Sequence, residues 1–293
     1  ENENVVTLAE LEKKLRGGFD YESVAILLCV GARNEERPYC SRTCCAEAVK
    51  NAIILKKNKP SSRVYILYRD LMMFGKYEEY YKKSQELGIK YLRYEPEAPP
   101  EVEELNGGLK IRVYDTLLRK EIELDVDKLV LAAPQIAPEG IEELQKTLKV
   151  PRSPDGFFME AHAKLRPLEF ISDGIYLCGA AQAPKELSHA IAQASGAAAR
   201  VCALISKEFL EVDAATAVVN PELCIGCGRC VKTCVFEAIA FEKNENEEYK
   251  ASVNSAICKG CGACASVCPN AAIAARQFTK EQILAMIEEL AEA

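Results

Sequence analysis

Apolar runs and amphipathic segments alternate along the first half of the chain. Residues 23–31 are almost wholly apolar, which is typical of a strand buried on both faces of a parallel sheet. Within residues 7–16, Leu8, Leu11 and Leu15 lie on one face and Thr7 and Glu10 stand at capping-box spacing, which predicts a short amphipathic helix. The alternation continues with predicted helices over 44–57 and 77–88 and strands over 63–70 and 89–94. This order indicates a parallel α/β sheet.

The second half of the chain changes character twice. A solvated, proline-rich loop is predicted over 95–108, followed by a hairpin and an apolar strand over 109–133. The next predicted elements are a helix within 137–149, a strand and turn over 174–184 and a helix over 185–207. Residues 220–274 are dense in cysteine and glycine and contain an internal repeat. Residues 279–290 predict a final amphipathic helix that docks on this or a neighbouring protein chain.

These shifts predict six parts. They are an N-terminal helix and connector (1–19), a nucleotide-domain-like α/β unit (20–149), the tail of an FAD-domain-like unit (150–207), a linker (208–219), a ferredoxin domain (220–274) and a C-terminal helix (275–293).

Composition narrows the function. The net charge of -7 offers no basic face for nucleic acid, and no apolar run approaches the roughly 18 residues of a membrane span. No leader peptide is recognisable, and the chain begins with Glu1, which suggests a trimmed or partial chain. Fourteen cysteines in a chain without a leader indicate metal or redox chemistry more than a disulfide framework.

Eight of these cysteines form two copies of C-x2-C-x2-C-x3-C, the run of bacterial ferredoxins. In that arrangement three cysteines of one loop bind one cubane and the fourth crosses to the other. One predicted [4Fe-4S] set is therefore Cys224, Cys227, Cys230 and Cys268, and the other is Cys258, Cys261, Cys264 and Cys234. Gly226, Gly228, Gly260 and Gly262 would give the loops their close, partly left-handed backbone. Zinc ribbons are the alternative, and Val235 replaces the proline that usually follows the fourth cysteine.

Four more cysteines form an insert between the strand at 23–31 and the following helix. A dinucleotide-binding unit would carry G-x-G-x-x-G at this junction, but the insert carries Cys29, Cys40, Cys44 and Cys45 instead. Four thiols at the end of a parallel strand can hold another cluster. A zinc site, a disulfide between Cys44 and Cys45, or buried structural thiols are the alternatives.

The order of segments resembles the carboxyl-terminal part of the A-type subunit of heterodisulfide reductase, the iron–sulfur flavoprotein of that family. The resemblance rests on CVGARNEERPYCSRTCC, VYILYRDLMMFGKYEEYY, DGFFMEAHAKLRPLEF, GIYLCGAAQAPKELSHAIAQASGAAAR and the double ferredoxin motif. It implies an α/β, thioredoxin-reductase-like, partial flavoprotein core plus an α+β bacterial-type 2[4Fe-4S] ferredoxin domain. It also implies a third [4Fe-4S] cluster on Cys29, Cys40, Cys44 and Cys45, and an FAD that takes part in flavin-based electron bifurcation.

The same resemblance implies flavin contacts. The strand and helix over 174–200 would approach the flavin, with Gly179, Ala180, Gln193 and Ala194 as contacts, although Ala180 stands where related reductases have an acidic residue. Lys50 is a further candidate that could tune the reduced flavin, with a solvated surface lysine as the alternative. The amino-terminal FAD half of the family is missing from this sequence, so a separate chain or a longer form of the protein would supply it.

The expected function is that of an oxidoreductase component, catalytic only within its complex, which relays electrons between FAD and its partners through three [4Fe-4S] clusters. Expected partners are B- and C-type subunits, a hydrogenase or formate-dehydrogenase-type electron donor, ferredoxin and the chain supplying the FAD half. A cytoplasmic, anaerobic setting is expected. A flavin-free, polyferredoxin-like carrier is the main alternative, and an inert scaffold is the other. No catalytic acid or base is expected, so His162 and His189 are given structural roles, and Cys178 and Cys202 are expected to be buried thiols.

Overall fold

The computed structural model describes residues 2–18, 21–105, 107–209, 215–243 and 247–292. Residues 210–214 of the predicted linker lie outside the described residues. The chain divides into two compact units, Glu1–Lys146 with Val150–Val201 and Thr147–Lys149 with Cys202–Ala293. The six-part division stays a prediction.

The elements follow one another in this order: β1 (Val5–Thr7), α1 (Leu8–Arg16), β2 (Ser23–Leu27), α2 (Cys44–Asn58), β3 (Arg63–Tyr68), α3 (Tyr77–Glu86), β4 (Lys90–Arg93), β5 (Glu101–Leu105), β6 (Gly108–Asp115), β7 (Lys120–Val126), β8 (Lys128–Leu131), α4 (Ile141–Leu148), α5 (Leu187–Ile205), β9 (Ala217–Val219), α6 (Arg229–Thr233), β10 (Ile239–Lys243), β11 (Tyr249–Val253), α7 (Ala263–Ser266), β12 (Ile273–Ala275) and α8 (Lys280–Glu292).

The first unit contains the predicted parallel sheet. Its strand order is β1-β8-β2-β3-β4, and every neighbouring pair is parallel. Side chains of β2 alternate between two cores: Val24 and Ile26 pack with α1 and α2, whereas Ala25 packs with β6 and β7. Because both faces are covered, the strand is apolar at every position after Ser23. The carboxyl ends of β8, β2 and β3 lie side by side at one sheet edge.

The first helix forms as its capping box predicts. The backbone N–H of Thr7 donates to Glu10 Oε2 at 2.7 Å, and the Glu10 N–H donates to Thr7 Oγ1 at 3.3 Å. Leu8 and Leu11 of the apolar stripe are buried. The cap therefore satisfies two backbone donors at the helix start, while the stripe anchors α1 on the core.

The predicted loop over 95–108 is wrong in part. Residues 101–105 form β5, which pairs antiparallel with β6 at the edge of a three-stranded sheet. Every side chain of β5 is exposed, and Arg112 on β6 pairs with Glu101 and Glu103 at 3.7 and 2.9 Å. An exposed edge strand needs no apolar alternation, because cross-strand ion pairs and backbone hydrogen bonds hold it.

The predicted strand before α5 is also absent from the described chain. Tyr176 makes a single bridge to Glu169, and the chain then forms a one-turn 3-10 helix at Gly179–Ala181. Backbone bonds from Phe170 to Ile175 and from Leu177 to Leu168 replace a regular ladder.

The second unit has the two-fold repetition that its cysteine motifs indicate. β10 pairs with β11 and β12 pairs with β9, both antiparallel. The N–H of Asn220 donates to the Ala272 carbonyl at 2.7 Å, and the N–H of Asn254 donates to the Ala238 carbonyl at 2.8 Å. The two repeats thus use the same asparagine-to-alanine backbone bond at equivalent positions.

Among the described residues, no helix combines the length and apolar character that a membrane crossing requires.

Candidate functional site

The two cysteine repeats fold into matching loops. Each loop is followed by a short helix, α6 or α7, whose first residue comes after a left-handed glycine, Gly228 at φ 75° or Gly262 at φ 76°. Gly226 and Gly260 are also left-handed, at φ 68° and 63°. A methyl group on Gly226 would lie 2.6 Å from the Tyr249 carbonyl oxygen, and one on Gly260 would meet the Ala215 carbonyl. The predicted need for close, left-handed backbone is confirmed.

Each loop lines a cavity together with a cysteine from the other repeat. Cys268 joins the loop cysteines of the first repeat around one cavity, and Cys234 joins those of the second around the other. The remaining cysteines are Cys224, Cys227 and Cys230 in the first cavity and Cys258, Cys261 and Cys264 in the second. These are the two groupings that the crossed ferredoxin pattern predicts; that they bind clusters stays a prediction.

Backbone amides point at the sulfur atoms in these cavities. Ala238 N–H donates to Cys234 Sγ at 3.3 Å, and Ala272 N–H donates to Cys268 Sγ at 3.2 Å, at equivalent positions of the repeat. A third donor, Ala217 N–H, lies 3.4 Å from Cys258 Sγ. Such bonds stabilise negative charge on sulfur, which is what thiolate ligands of a reduced cluster need.

Burial raises the pKa of Cys230 and Cys264, the innermost cysteine of each loop. Neighbouring thiols of the same loop raise the pKa values further through like-charge repulsion, although backbone amides oppose the shift. A cluster of sulfurs at this density is stable as thiolates only when metal cations compensate the charge. The donor set therefore fits an iron–sulfur cluster.

The cysteine insert lies over the carboxyl edge of the parallel sheet. Cys29 follows β2 by two residues, with left-handed φ of 62°. Cys44 and Cys45 begin α2 and reach to either side: Cys44 Sγ lies 3.7 Å from the Ala133 carbonyl beyond β8, and Cys45 Sγ lies 3.9 Å from the Asp70 carbonyl beyond β3. The helix start thus spans three adjacent strand ends.

All four insert thiols are near enough to interact. Burial raises the pKa of Cys29 and Cys44, and it raises the pKa of Cys45 to about 12. Charges on Cys29, Cys40 and Cys44 would each raise the pKa of Cys45 further. The structure therefore places Cys29, Cys40, Cys44 and Cys45 within range of one another's charge, in a setting where thiolates need a compensating cation; that they bind one cluster stays a prediction.

The disulfide considered for Cys44 and Cys45 is not formed among the described residues. The described cysteines, Cys44 and Cys45 included, are all free thiols. Within the described ranges, no group of three or more His, Cys, Asp or Glu side chains is arranged to hold a single metal ion.

The predicted flavin contacts differ in burial and in hydrogen bonding. Gly179 is buried and its N–H donates to Gln193 Oε1 at 2.8 Å, so the turn after residue 178 is tied to α5. Gln193 Nε2 donates in turn to Gln182 Oε1 at 2.7 Å. Ala180 and Ala194 are exposed. Lys50 Nζ binds Glu12 Oε2 on α1 at 2.9 Å, so its ammonium group is engaged within the fold.

The expectations for the two histidines and for the two cysteines outside the motifs hold in part. His162 Nδ1 accepts from the N–H groups of Lys164 and Leu165 at 3.1 Å, which is a structural turn, and His189 lies 3.3 Å from Glu186. Cys178 is half-buried, but Cys202 is exposed, and the expectation that it is buried is wrong. α5 leaves that end of its apolar sequence uncovered.

Sequence analysis missed the arginines and the aspartate beside the insert. Arg33, Arg69 and Arg93 surround Asp70, and Arg33 Nη2 lies 2.6 Å from Asp70 Oδ2. A usable signal was present, because residues that directly follow parallel strands meet at one sheet edge. Asp70 follows β3 as Cys29 follows β2.

The loops, the insert and the α/β unit define an iron–sulfur protein, and the comparisons with known proteins agree. A family model described as 4Fe-4S dicluster domain matches residues 217–275. The A-type subunit of the H(2):CoB-CoM heterodisulfide,ferredoxin reductase of Methanothermobacter thermautotrophicus is 42% identical over 257 residues, covering 82% of this chain and 39% of that protein. A protein of Archaeoglobus profundus, named as similar to the A-type subunit of heterodisulfide reductase, is 38% identical over 299 residues, covering 96% and 41%.

The predicted resemblance is confirmed: this chain is a homologue of the A-type subunit of heterodisulfide reductase, and it fits a carboxyl-terminal part of that protein. It spans about two-fifths of the length of these relatives, as the 39% and 41% coverage shows. The predicted α/β class with a ferredoxin domain is likewise confirmed.

Two thioredoxin reductases of known structure overlap this chain in part. Thioredoxin reductase of T. acidophilum is 14% identical with a TM-score of 0.42, covering 71% of this chain and 63% of that one. The Lactococcus lactis enzyme is 13% identical with a TM-score of 0.43, covering 69% and 58%. At TM-scores below 0.5 these overlaps carry no argument.

Proposed function

We propose that this chain is an electron-relay part of a heterodisulfide-reductase-like complex, carrying electrons between FAD and partner redox subunits through three [4Fe-4S] clusters. Two clusters would be held by the crossed cysteine sets of the repeats, and the third by Cys29, Cys40, Cys44 and Cys45. The single observation that carries the proposal is the convergence of the four insert thiols over the carboxyl edge of the parallel sheet.

The chemistry of the cysteine sites is one-electron transfer. It needs thiolate ligands, amide donors and a low-dielectric surrounding, and it needs no acid or base. The amide bonds at Ala238 and Ala272 and the burial of Cys230 and Cys264 meet these needs. This support extends to the repeats, whose family is the 4Fe-4S dicluster domain.

The position of the insert is what connects the third set to a flavin. Ligands of open parallel sheets bind outside the carboxyl ends of the strands, and the insert replaces the phosphate loop at such an edge. A bound FAD would supply the conversion between two-electron and one-electron chemistry that clusters lack. The turn held by Gln193 and the adjacent start of α5 would contribute this chain's share of the flavin site, and a partner chain or a longer form of the protein would contribute the rest.

The names of the relatives suggest the partners. The Methanothermobacter protein is named for H2, the CoB-CoM heterodisulfide and ferredoxin, and the Methanococcus maripaludis protein adds formate. A donor with two acceptors is what flavin-based bifurcation requires. We extend this to the present chain as a proposal: B- and C-type subunits, a hydrogenase or formate-dehydrogenase-type donor, and ferredoxin would exchange electrons with it.

A flavin-free, polyferredoxin-like carrier is the second candidate. It is favoured by the internal bonds of Lys50 and Gln193, because both predicted flavin contacts already have partners within the fold.

The test is an anaerobic purification of the complex that contains this chain, with and without Cys40→Ser. We expect bound FAD, and we expect Cys40→Ser to keep the flavin while slowing, at least tenfold, electron transfer from reduced flavin to the ferredoxin-domain clusters. Cys178→Ser is the matched control and should transfer electrons at the original rate. A complex with full iron and no flavin would establish the second candidate instead. Clusters whose spectrum a low-potential reductant cannot change reversibly would point to a scaffold.

A further inference from the structure

Three arginines converge on one carboxylate beside the cysteine insert. Arg33 Nη2 lies 2.6 Å from Asp70 Oδ2, and Arg93 Nη2 lies 3.8 Å from Asp70 Oδ1. Arg69 Nη1 donates to the Arg33 carbonyl at 3.0 Å, and Arg93 Nε donates to the Arg69 carbonyl at 3.1 Å. Arg33 is therefore held at two points, at its backbone carbonyl by Arg69 and at its guanidinium by Asp70.

The Arg33 guanidinium also lies close enough to the insert for its charge to act on Cys29, where it lowers the pKa of the thiol against the larger effect of burial. Asp70 also lies beside the insert, because its backbone carbonyl oxygen is 3.9 Å from Cys45 Sγ. Arg33 thus bridges a proposed cluster ligand and an acidic anchor.

The backbone of Arg33 is consistent with a role at this site. Its φ is 56°, a left-handed conformation that is unfavourable for a residue with a side chain. The Arg33 N–H donates to the Tyr39 carbonyl at 3.3 Å, which closes the insert loop. Such strain persists where the surrounding structure imposes it, and it accompanies functional sites.

Charge decides what this contact does to a cluster. Reduction adds an electron and makes the cluster more negative, so a nearby cation and a hydrogen bond to a ligand sulfur stabilise the reduced form. The Asp70 carboxylate opposes the Arg33 cation in part, and the charges of Arg69 and Arg93 act on Asp70 in the same direction as Arg33. Arg93 is also paired with Glu95, at 3.8 Å, so the cations that act on Cys29 are Arg33 and Arg69.

We propose that Arg33, anchored by Asp70, raises the reduction potential of the cluster on the cysteine insert. Arg33 is a positioning residue in this role, because it acts through the Cys29 sulfur. The inference rests on the proposed function, since it requires a cluster at the insert.

The experiment is an anaerobic redox titration of the holo-complex, followed by electron paramagnetic resonance. The insert cluster's signal is assigned as the one that Cys40→Ser removes. Arg33→Gln removes the charge and Arg33→Lys keeps it. Asp70→Asn removes the opposing charge but keeps a side-chain oxygen that can accept from Arg33. Arg37→Gln is the matched control, because Arg37 lies in the same insert but pairs with Glu36 at 2.8 Å.

We expect Arg33→Gln to lower the reduction equilibrium constant of this cluster about tenfold, which is about 59 mV for a one-electron couple. Arg33→Lys should recover more than half of the shift, and Asp70→Asn should raise the potential. Arg37→Gln should leave it unchanged. The opposite signs separate electrostatic tuning from a loosened loop, which would move both variants in the same direction.

The inference is overturned if Arg33→Gln leaves the potential unchanged, or if it shifts in the same direction as Asp70→Asn. If Arg33→Gln fails to load iron, the comparison of Asp70→Asn with Arg37→Gln decides the matter by the same criterion. A wild-type complex with no signal that Cys40→Ser removes would contradict the proposed function itself, so the two failures are distinguishable.

Discussion

At the scale of single residues, neighbouring glycines of one cysteine loop differ in the space around them. Gly260 and Gly262 are both left-handed, at φ 63° and 76°. A methyl group on Gly260 would collide with the Ala215 carbonyl, whereas one on Gly262 would meet nothing within 4 Å. The pair therefore separates the effect of close approach from the effect of backbone conformation.

We predict that Gly260→Ala disturbs the second cluster loop more than Gly262→Ala does. Gly262→Ala should cost about 1–2 kcal/mol of stability, the usual penalty for a left-handed residue with a side chain. Gly260→Ala carries the same penalty and must also displace a backbone carbonyl. We expect it to retain less than half the iron of the second repeat, measured as iron per chain. Equal iron in the two variants would contradict the account.

Glu169 illustrates a buried charge that is fully paired. Its side chain lies between Arg166 Nε, at 2.6 Å, and Arg200 Nε. Burial raises the pKa of Glu169, but the hydrogen bonds from Arg166 and Arg200 outweigh burial and leave the pKa below its usual range. A carboxyl group with a lowered pKa in the folded state stabilises the fold above its unfolded-state pKa, and this contribution is lost as the pH falls through the folded-state value.

We predict that Glu169→Gln lowers the free energy of unfolding at pH 7 by about 1–3 kcal/mol, because it removes the buried carboxylate that accepts charge-assisted hydrogen bonds from Arg166 and Arg200. The difference from the wild type should shrink as the pH is lowered below about 4.5. Urea denaturation at several pH values measures it, with exposed Glu86→Gln as the control. A difference that grows on acidification would refute the assigned sign.

At the scale of elements, the sequence predicted the helices, strands and loops that depend on the spacing of buried apolar residues or on local residue chemistry. The parallel strands, α1 with its capping box, α2 and both cysteine loops are present where the sequence indicated them. β5 was missed because an exposed edge strand has no apolar pattern, and the strand before α5 was wrong because single bridges replace a ladder.

At the site, the contacts between segments far apart in the sequence could not be predicted. The cysteine groupings were predictable because ligand spacing is local and repeated. The bonds of Lys50 to Glu12 and of Gln193 to Gly179 were not, since neither partner has a recognisable pattern and the pairs lie 38 and 14 residues apart.

The connection between the 3-10 turn and α5 yields a prediction for these two elements. Gln193→Ala removes the acceptor of the buried Gly179 N–H and breaks the link to Gln182. We expect a loss of about 1–3 kcal/mol in stability, the cost of an unsatisfied buried donor. We also expect weaker retention of FAD by the complex, measured by flavin absorbance after dialysis. Exposed Ser195→Ala on the same helix is the control; equal flavin loss in both variants would count against a role for the turn.

At the scale of the whole molecule, the cysteines are divided between the two compact units. The first unit holds the four insert cysteines on a parallel sheet, and the second holds the eight cysteines of the paired repeats. Cys178 and Cys202 belong to neither arrangement. The relay that we propose needs all three sets loaded, and the ferredoxin repeats alone would make the chain a simple two-cluster carrier.

The most direct measurement is therefore iron per chain after anaerobic purification, for the wild type, Cys40→Ser and Cys178→Ser. Three cubanes predict about twelve irons in the wild type and in Cys178→Ser, and about eight in Cys40→Ser. About eight irons in all three proteins, with both repeat clusters fully loaded, would show that the insert holds no cluster and would contradict the three-cluster relay.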